Sequence, residues 1–589
     1  MVSTVGGAAE RKPVVPARPP LGRWLRASPT GLIGLALVIG AGAGLGAVAF
    51  RWLITTFTHL FSGQPDYSAA GRVAHPWFPA LGPWFLLLAP VVAGLVYGPL
   101  VQKFAPEARG HGVPEVMYAV AERGGRIPAR VSVVKALASA LTIGSGGSVG
   151  REGPIVQIGS ALGSALGRRA RVPESRLRVL VACGAAGGIA ATFNASLAGP
   201  FFAMELILRD FAAESFGAVV LASVTASVVG RAVFGDVPFL DLPPFTLRSP
   251  VEYLLFIGLG LVVGACGVLF TRVLYLVEDA CDALWRGPEW LRPAVGGVFL
   301  GALLLALPQL YGVGYPVLQN ALEGRYLIGF LLLLLAGKIV ATSLTIGIGG
   351  SGGVFAPSLF LGAMAGTAFG IVVHAWLPGL TASPGVYGLI GMGAAFAGSA
   401  WAPITAVIVL FELTGQYPII LPMLTAIVIA TATSRALGQD TIYTLKLRRR
   451  GVDLDRHPDS RRLAGTRVEA VAEALPEPLA GDLPLERAAH ALAVSGHGIL
   501  PVVGPDGRYQ GCVTARAVAE ALAGGSGGVA GDLAELPPLV TAQSSLADAL
   551  TALTDAPGTG LPVLSGEDRL SGWITHQAVL TALEPDAAR

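Results

Sequence analysis

Charged side chains are scarce in this sequence. They account for 13% of its 589 residues, whereas 53% of the residues are hydrophobic. Ordinary soluble domains carry roughly 25% charge, so these charges are too few to cover a soluble surface of this size. The composition therefore excludes a single soluble domain.

Cysteine is also scarce. The four cysteines, Cys183, Cys266, Cys281 and Cys512, show neither the paired spacing of a disulfide framework nor the spacing of metal ligands. Three of them lie in apolar stretches, which favours small packed side chains. We therefore expect no metal site.

Acidic residues are nearly absent from the apolar part of the chain, where only Glu152, Glu205 and Glu412 lie deep in apolar sequence. A cation transporter would be expected to cluster acidic residues in its spans. An intramembrane enzyme would need a His/Asp/Glu metal constellation or a Ser/His pair there, and neither is present. We therefore expect neither of these two classes.

The charges that are present are unevenly distributed. Residues 451–589 carry 18 acidic and 9 basic side chains, a net charge of −9, which leaves +12 on the first 450 residues. This division indicates a membrane-embedded part followed by an acidic, water-soluble part. The total of +3 is a cancellation and does not indicate nucleic-acid binding.

Long apolar stretches alternate with breaks marked by glycine or proline from Gly31 to Leu445. Crossing a hydrocarbon core takes roughly 20 helical residues. Several stretches are shorter than this, whereas others, such as residues 31–61, are long enough to cross at a steep tilt. The pattern predicts an α-helical polytopic membrane protein with broken and tilted helices, whose irregular backbone lies inside the protein or along a water-filled path.

Basic residues indicate the orientation of the chain. Residues 1–29 are polar and basic, and no short apolar core with a cleavage site follows them, so we expect a cytoplasmic segment rather than a removed signal peptide. Lys446, Arg448, Arg449 and Arg450 close the apolar part, which places the tail on the same side. The sequence thus predicts a multi-pass protein of the cell membrane with both termini cytoplasmic.

The apolar part contains an internal repeat. Residues 133–167 align with residues 336–370 without a gap, and 15 of the 35 aligned positions are identical. Residues 195–205 likewise align with residues 402–412. The membrane domain, expected over residues 30–450, therefore consists of two related halves.

The loops that follow the two copies differ in charge. Residues 167–178 contain five arginines, whereas residues 374–385 contain no lysine or arginine. One loop is therefore expected to be cytoplasmic and the other external, so the halves have inverted topology, with substrate bound near the midplane where they meet. The expected halves cover about 30–235 and 250–450.

The tail carries its own repeat at an offset of 61 residues. Residues 500–502 match residues 561–563, and residues 511–518 match residues 572–579. Each copy is expected to form a helix, two strands and a helix, and two copies of this size usually pack together as one regulatory unit. The expected boundaries are a linker over 451–466, a first α/β copy over 467–524 and a second over 528–585.

Two glycine-rich breaks each precede a proline that suits the first turn of a helix. They read GSGGSVGREGP at 144–154 and GGVFAP at 352–357. A helix N-terminus offers unpaired N–H groups and a partial positive charge, so two such ends favour an anion over a cation. Alternatively, the glycines only allow close helix packing, which explains Gly159, Gly163 and Gly167 but not the charged pair Arg151–Glu152 at a break.

Glu152 is the strongest candidate for a functional side chain. A carboxylate at a helix N-terminus is itself an anion, so it can occupy the site of a permeating ion and leave when it is protonated or displaced. It would then be a gate and a proton carrier, whereas the alternative is a plain N-terminal cap. Glu205 and Glu412 occupy equivalent places in the halves, which favours structural hydrogen bonding to helix ends.

The motifs GHGVP (110–114), GREGP (150–154) and GGVFAP (352–357), with a late tyrosine at Tyr443, resemble the CLC family of chloride channels and chloride/proton exchangers. The tail resembles a pair of CBS domains. The resemblance implies a homodimer with one anion pore per subunit, in which Glu152 is the gating glutamate. The implied anion-binding set is Gly110, His111, Gly112, Val113, Pro114, Gly150, Arg151, Gly153, Pro154, Gly353, Val354, Phe355, Ala356, Pro357 and Tyr443.

Two positions depart from the family pattern. His111 stands where the family usually has serine, or proline in some nitrate-coupled members, so the preferred anion is left open between chloride and a related ion. Leu206 stands where the best-defined exchangers have a second glutamate, and leucine cannot carry a proton. We therefore predict a chloride channel. The alternative is a chloride/proton antiporter whose internal proton path uses Glu205 or water.

The tail departs as well. Nucleotide-binding CBS copies often carry an aspartate three residues after a threonine, where this chain has Ala517 and Ala578. A mechanical or dimerising role is therefore favoured over adenine nucleotide binding, although Thr514 and Thr575 remain as candidate phosphate contacts. No other cofactor is expected.

Overall fold

The computed structural model describes residues 28–235, 247–454, 458–525, 527–556, 558–565 and 569–583. Most of the basic segment 1–29 lies outside these ranges. The chain divides into two compact units, which separate between Val452 and Asp453.

The first unit is helical, and its α-helices between residues 28 and 437, as far as the structure describes this range, fall into two sets of eight. The first half contains α1 (Pro29–Ser62), α2 (Phe85–Phe104), α3 (Val113–Glu122), α4 (Arg130–Gly144), α5 (Glu152–Ala170), α6 (Glu174–Phe193), α7 (Ala198–Phe202) and α8 (Ala213–Phe234). The second half contains α9 (Glu252–Leu284), α10 (Arg292–Ala306), α11 (Tyr315–Leu322), α12 (Ile328–Gly347), α13 (Phe355–Trp376), α14 (Pro384–Ala400), α15 (Pro403–Thr414) and α16 (Ile420–Leu437). A short helix, α17 (Thr444–Arg449), ends the unit.

Helix lengths in this unit range widely. Within the described residues, eight helical segments are long and apolar enough to cross a membrane. α1 and α9 have 34 and 33 residues, whereas α3 and α11 have only 10 and 8. The predicted polytopic membrane fold with tilted and broken helices is therefore confirmed.

Glycines allow the long helices to pack closely. A Cβ atom on Gly40 of α1 would lie 2.3 Å from the carbonyl oxygen of Ala222 in α8. In the second half, a Cβ atom on Gly260 of α9 would lie 2.7 Å from the carbonyl oxygen of Ala426 in α16. Small residues are the usual means of close helix contact in membranes, so part of the glycine content serves packing, as the alternative interpretation of the glycines states.

Equivalent residues of the two halves make reciprocal contacts. The Ser351 backbone N–H donates to the Thr142 hydroxyl at 3.3 Å, and the Ser148 N–H donates to the Thr345 hydroxyl at 3.2 Å. Thr142 is equivalent to Thr345 in the repeat, and Ser148 to Ser351. Such an exchange of partners requires a two-fold relation between the halves. It fits the predicted inverted repeats.

The described residues of the second unit form two small sheets with the same topology. Each sheet has a two-residue strand parallel to a central strand, which is antiparallel to a third strand. The strands are β1 (Leu479–Ala480), β2 (Ile499–Val503), β3 (Tyr509–Thr514), β4 (Val540–Thr541), β5 (Gly560–Ser565) and β6 (Arg569–Thr575). The helices are α18 (Pro458–Gly465), α19 (Leu485–Ser495), α20 (Ala515–Ala523), α21 (Leu546–Thr554) and α22 (His576–Leu583).

The two copies of the tail repeat pack together. Ile499, Tyr509 and Cys512 of the first copy form one buried cluster with Leu564 and Trp573 of the second. Burial raises the pKa of the Cys512 thiol to about 11, which agrees with a packed, unreactive cysteine. The α/β pair is therefore confirmed, with one addition: β1 and β4 precede the predicted helix of each copy, and two residues are too few for a sequence pattern to reveal.

Segments that flank the copies are exchanged between them. The N–H of Val468 donates to the carbonyl of Ser544 in the second copy at 3.0 Å, and Val468 belongs to the second copy's core. Ala530 belongs to the first copy's core. Residues at the start of the range 467–524 thus pack on the copy that follows it.

Candidate anion site

The three glycine-containing breaks of the membrane unit meet in the structure. Gly150 and Gly353 exchange two backbone hydrogen bonds, of 2.7 and 2.6 Å. The Gly110 N–H donates to the carbonyl of Gly350 at 3.1 Å, and the Gly352 N–H donates back to the carbonyl of Gly110 at 3.3 Å. GHGVP, GREGP and GGVFAP, which lie far apart in sequence, therefore form one site at the interface of the halves.

Glycine is required at the closest approach of these breaks. A Cβ atom on Gly153 would lie 2.0 Å from the carbonyl oxygen of His111 and 3.0 Å from the Cα atom of Gly353. Gly112 has a φ of +86°, and a Cβ atom there would lie 2.7 Å from the carbonyl oxygen of Gly153. The closest atoms in the way belong to the backbone, so a side chain at either position would separate the breaks.

Two equivalent lysines hold equivalent breaks in place. The buried Lys135 ammonium donates to the carbonyls of Ala108 and Gly110 at 2.9 and 2.7 Å. Lys338 donates to the carbonyls of Gly312 and Val313 at 3.1 and 3.0 Å. Both lysines thus fix the irregular backbone that precedes a short helix, α3 in one half and α11 in the other.

The predicted site residues of the first half lie at the starts of α3 and α5. Val113 and Pro114 open α3 and are buried. Arg151 precedes α5, and Pro154 lies in its first turn. The arrangement brings two helix N-termini next to the Gly150–Gly353 contact.

Glu152 opens α5, and its side chain points to the start of α13 in the other half. One carboxylate oxygen accepts a hydrogen bond from the backbone N–H of Ala356 at 3.4 Å, and the other accepts one from the Tyr315 hydroxyl at 2.7 Å. The residue is only 1% exposed. A Cβ atom on Gly150 would lie 2.0 Å from the carboxylate, so this glycine makes room for it. A carboxyl group thus lies at a helix N-terminus that suits an anion.

Tyr315 was missed by the sequence reasoning. It lies in GVGYP (312–316), which matches the pattern of GHGVP (110–114) and occupies the corresponding place before α11. Extending the repeat alignment from the pair Lys135 and Lys338 to this segment, with a one-residue gap, would have found it. The direct contact with Glu152 makes Tyr315 part of the site.

His111 is buried in the break that precedes α3. It is 1% exposed, and neither ring nitrogen has a hydrogen-bond partner among the described residues. Its ring faces Tyr275, with the ring centroids 6.1 Å apart. Buried polar atoms in native proteins nearly always have a partner, so the ring nitrogens of His111 are candidates for binding a ligand.

Tyr443 and the start of α13 complete the predicted set. Tyr443 is 1% exposed and close enough to Glu152 for the two groups to interact electrostatically. Val354 precedes α13 and Phe355 opens it, so their N–H groups are among those that have no partner within a helix. Ala356 and Pro357 follow in the first turn and are buried.

Glu205 and Glu412 cap helices of opposite halves. Glu205 accepts hydrogen bonds from the backbone N–H groups of Ile404 and Thr405, at 3.2 and 2.8 Å, at the start of α15. Glu412 accepts them from Leu197 and Ala198, at 2.9 and 2.6 Å, at the start of α7. These are the contacts that a structural role at helix ends requires. Among the described residues, neither of these two carboxylates makes a hydrogen bond to Glu152 or to the residues around it.

Replacing Glu412 with alanine is expected to destabilise the membrane unit by about 1–3 kcal/mol, because two backbone N–H groups lose their acceptor. Thermal unfolding of the purified protein in detergent measures the change. The control is Glu214→Ala, which removes an exposed carboxylate from the first turn of α8 and is expected to change stability by less than about 0.5 kcal/mol. Equal melting temperatures for the two variants would contradict the capping role.

The candidate nucleotide contacts of the tail are used as helix caps. The Thr514 hydroxyl accepts a hydrogen bond from the Ala517 N–H at 3.1 Å, and the Thr575 hydroxyl accepts one from the Ala578 N–H at 3.0 Å. Both threonine hydroxyls therefore cap the helix that follows them. The N–H groups that they bind belong to Ala517 and Ala578, where nucleotide-binding copies often carry an aspartate.

Two cavities border the site. The first, here called the Tyr315 cavity, has a volume of about 370 Å³ and is lined by Arg51, Asp66, Arg151, Tyr311, Tyr315 and Gln319, among others. The second, here called the Lys446 cavity, has a volume of about 580 Å³ and is lined by Glu107, Glu115, Tyr275, Glu278, Lys446 and Arg450, among others. A Cβ atom on Gly110 would lie 3.0 Å from the Lys446 ammonium, so this cavity reaches the GHGVP break.

Two inverted helical halves that meet at helix ends suited to anions, between two cavities with cationic side chains, define a membrane transport protein for anions. The family model of the voltage gated chloride channel matches residues 93–435, and the CBS domain model matches residues 476–524. The first match covers more than half of the chain. The chain therefore belongs to the CLC family of chloride channels and chloride/proton exchangers, whose members transport ions rather than act as enzymes.

Relatives with assigned names support this placement. The chain is 35% identical over 433 residues to a putative chloride channel protein ClcB-like of Ralstonia nicotianae, a match that covers 72% of this chain and 99% of the relative. It is 36% identical over 435 residues to the H(+)/Cl(−) exchange transporter ClcA of Vibrio cholerae, which covers 72% of this chain and 90% of the relative.

Solved structures show the same fold. A slow cyanobacterial Cl−/H+ antiporter matches with a TM-score of 0.62 at 26% identity, over 72% of this chain and 99% of that structure. A eukaryotic CLC transporter matches with a TM-score of 0.63 at 21% identity, over 93% of this chain and 97% of that structure. The second match concerns the fold alone.

These comparisons do not support the channel that Leu206 led us to predict. Several of the similar proteins are named exchangers or antiporters, so the alternative, a chloride/proton antiporter, is favoured. One missing side chain was too little evidence, because a proton can also move through water or another group.

Proposed function

We propose that the protein exchanges chloride for protons across the cell membrane, with Glu152 as both gate and proton carrier. The observation that carries this proposal is the position of the Glu152 carboxylate at the N-terminus of α13. A carboxylate bound there competes with a permeating anion for the same N–H groups. When the carboxylate takes up a proton, its attraction to the helix end weakens, and an anion can replace it.

The anion is proposed to bind between the GHGVP break, the start of α13 and Tyr443. The ligands would be the ring of His111, the N–H groups of Val354 and Phe355, and the Tyr443 hydroxyl. This assignment is supported by the burial of all four residues and by the lack of a partner for the His111 ring among the described residues. A histidine N–H suits chloride or a related small anion.

The proton must reach Glu152 without a glutamate at the position of Leu206. Both oxygens of Glu205 already accept hydrogen bonds from α15, and Leu206 is buried. We therefore propose water, rather than Glu205, as the internal proton carrier. The Lys446 cavity, which reaches the GHGVP break, would supply this water.

The orientation and the assembly also belong to this proposal. The basic loop at 167–178 and the basic residues at 446–450 would be cytoplasmic, together with both termini and the tail. The Lys446 cavity would then open to the cytoplasm and the Tyr315 cavity to the outside. A homodimer with one anion path per subunit is proposed from the family resemblance.

A liposome experiment tests the proposal. Vesicles that contain the purified protein are loaded with chloride and diluted into low-chloride medium, with a potassium ionophore to clamp the voltage. We expect chloride efflux, recorded with a chloride electrode, and proton entry against a pH gradient, recorded with a pH electrode. Chloride efflux no faster than from protein-free vesicles would contradict anion transport, and efflux without uphill proton movement would indicate a channel.

A further inference from the structure

Tyr315 makes the shorter of the two hydrogen bonds described above that hold the Glu152 carboxylate at the start of α13. The hydroxyl lies 2.7 Å from one carboxylate oxygen, whereas the backbone N–H of Ala356 lies 3.4 Å from the other. Hydrogen bonds from hydroxyl groups are typically about 2.7–2.8 Å long, and N–H bonds beyond about 3.2 Å are weak. The tyrosine therefore holds the carboxylate more firmly than the helix N-terminus does.

The position of the hydroxyl is set by the backbone around it. Gly314, directly before Tyr315, has a φ of +88°, which turns the chain into α11. Lys338 fixes the two residues before this turn through their carbonyls. The guanidinium of Arg151 lies over the Tyr315 ring, 5.2 Å from its centroid. The turn at Gly314, the hydrogen bonds of Lys338 and the guanidinium of Arg151 thus restrict the Tyr315 side chain, whose hydroxyl contacts Glu152.

The repeat shows that this hydroxyl is not needed to build the fold. In the first half, Lys135 fixes the corresponding break in the same way, and Val113 occupies the place of Tyr315. Valine opens α3 without a hydroxyl. Both halves therefore share the scaffold. The hydroxyl is present in the break of the second half, where Tyr315 contacts Glu152, and is absent from the break of the first half, where Val113 stands.

We propose that Tyr315 is a positioning residue that sets how firmly Glu152 closes the anion path. Its hydroxyl donates to the ionised carboxylate and so stabilises the closed arrangement. The bond weakens when the carboxylate is protonated, because hydrogen bonds to an ionised acceptor are about twice as strong as those to a neutral one. The inference rests on the proposed function, in which Glu152 is the gate.

Other charged or titratable groups also face Glu152. They are Arg151 beside it in sequence, Lys338 on α12 and Tyr443 at the start of α17. Replacing Tyr315 with phenylalanine keeps all three side chains and removes only one oxygen atom, which bonds to Arg151 as well as to Glu152. The variant therefore isolates the contribution of the hydroxyl.

The test is the pH dependence of chloride efflux from liposomes that contain the Tyr315→Phe variant. We expect efflux at neutral pH to rise by about tenfold and the pH of half-maximal efflux to rise by about one unit, because the ionised, closed form loses a charge-assisted hydrogen bond. Fewer protons should move per chloride. Tyr315→Leu, which also lacks the hydroxyl, is expected to shift the pH of half-maximal efflux in the same direction.

Tyr311→Phe is the matched control. Tyr311 is a buried tyrosine that also lines the Tyr315 cavity, but its hydroxyl donates to the carbonyl of Gly144 at 2.6 Å. Removing the Tyr311 hydroxyl shows whether the loss of a tyrosine hydroxyl elsewhere in this cavity is enough to change efflux. We expect the pH of half-maximal efflux to stay at the wild-type value.

A double variant separates the inference from the proposed function. In the background of Glu152→Ala, adding Tyr315→Phe is expected to change chloride efflux less than twofold. An equal change with and without Glu152, or a wild-type pH dependence in Tyr315→Phe, would overturn the positioning role. If Glu152→Ala alone kept full proton coupling, the proposed function itself would fail.

Discussion

The Glu152→Ala variant is expected to lose proton transport while chloride efflux continues. Alanine cannot take up a proton, and it leaves the N–H of Ala356 without the carboxylate that occupies it. We expect proton flux to fall by at least about 100-fold, the usual scale for removing a group that carries the transferred proton. Chloride efflux should also lose most of its dependence on pH, because the competing carboxylate is gone.

Simultaneous recording of pH and chloride in the liposome experiment measures both effects. The control is Glu214→Ala, which removes an exposed carboxylate from α8 and is expected to keep wild-type coupling. Uphill proton movement by Glu152→Ala at the wild-type rate would show that another group carries the proton. The role of Glu152 as proton carrier would then have to be abandoned.

The Gly153→Ala variant is expected to lose chloride transport for a different reason. The added methyl group would lie 2.0 Å from the carbonyl oxygen of His111, a backbone atom that cannot rotate away. The GHGVP and GREGP breaks would have to move apart, which disturbs the anion site and costs on the order of 1–3 kcal/mol of stability. Chloride efflux and thermal unfolding in detergent are the two measurements.

Gly217→Ala provides the control for this prediction. Gly217 lies in α8, and a Cβ atom there would meet nothing within 4 Å. We expect wild-type efflux and a stability gain of up to about 1 kcal/mol, since alanine favours a helix more than glycine does. A Gly153→Ala protein as stable and active as Gly217→Ala would mean that the breaks do not need their close contact.

Much of the fold could be predicted because it depends on patterns that lie along the chain. Apolar stretches of unequal length predicted long, tilted helices and short, broken ones, and α1 and α11 are examples of each. The offset of 61 residues in the tail predicted two copies, and the register of both sheets shows them: Leu479 pairs with Val502, and Val540 pairs with Val563. The two-residue strands β1 and β4 gave no sequence signal, since they depend on a neighbouring strand.

The candidate site was predicted in part. Helix N-termini rich in glycine pointed to Gly150, Glu152 and the start of α13, because the chemistry of a helix end depends on local sequence. Leu206 misled the prediction, since the effect of a missing group depends on what lies around it in space. Tyr315 was missed, since 163 residues separate it from Glu152.

The sequence by itself determined that this protein is a basic membrane body with two related halves and an acidic, repeated tail. Charge, hydropathy and repeats are properties of the chain that no folding can alter. Only the tertiary structure decided which groups meet: Glu152 with Ala356 and Tyr315, and Gly153 with His111. These contacts depend on a two-fold packing of halves that are far apart in sequence. Since hydrogen bonds and steric contacts act over a few ångströms, the packing of the halves decides which of the predicted residues work together.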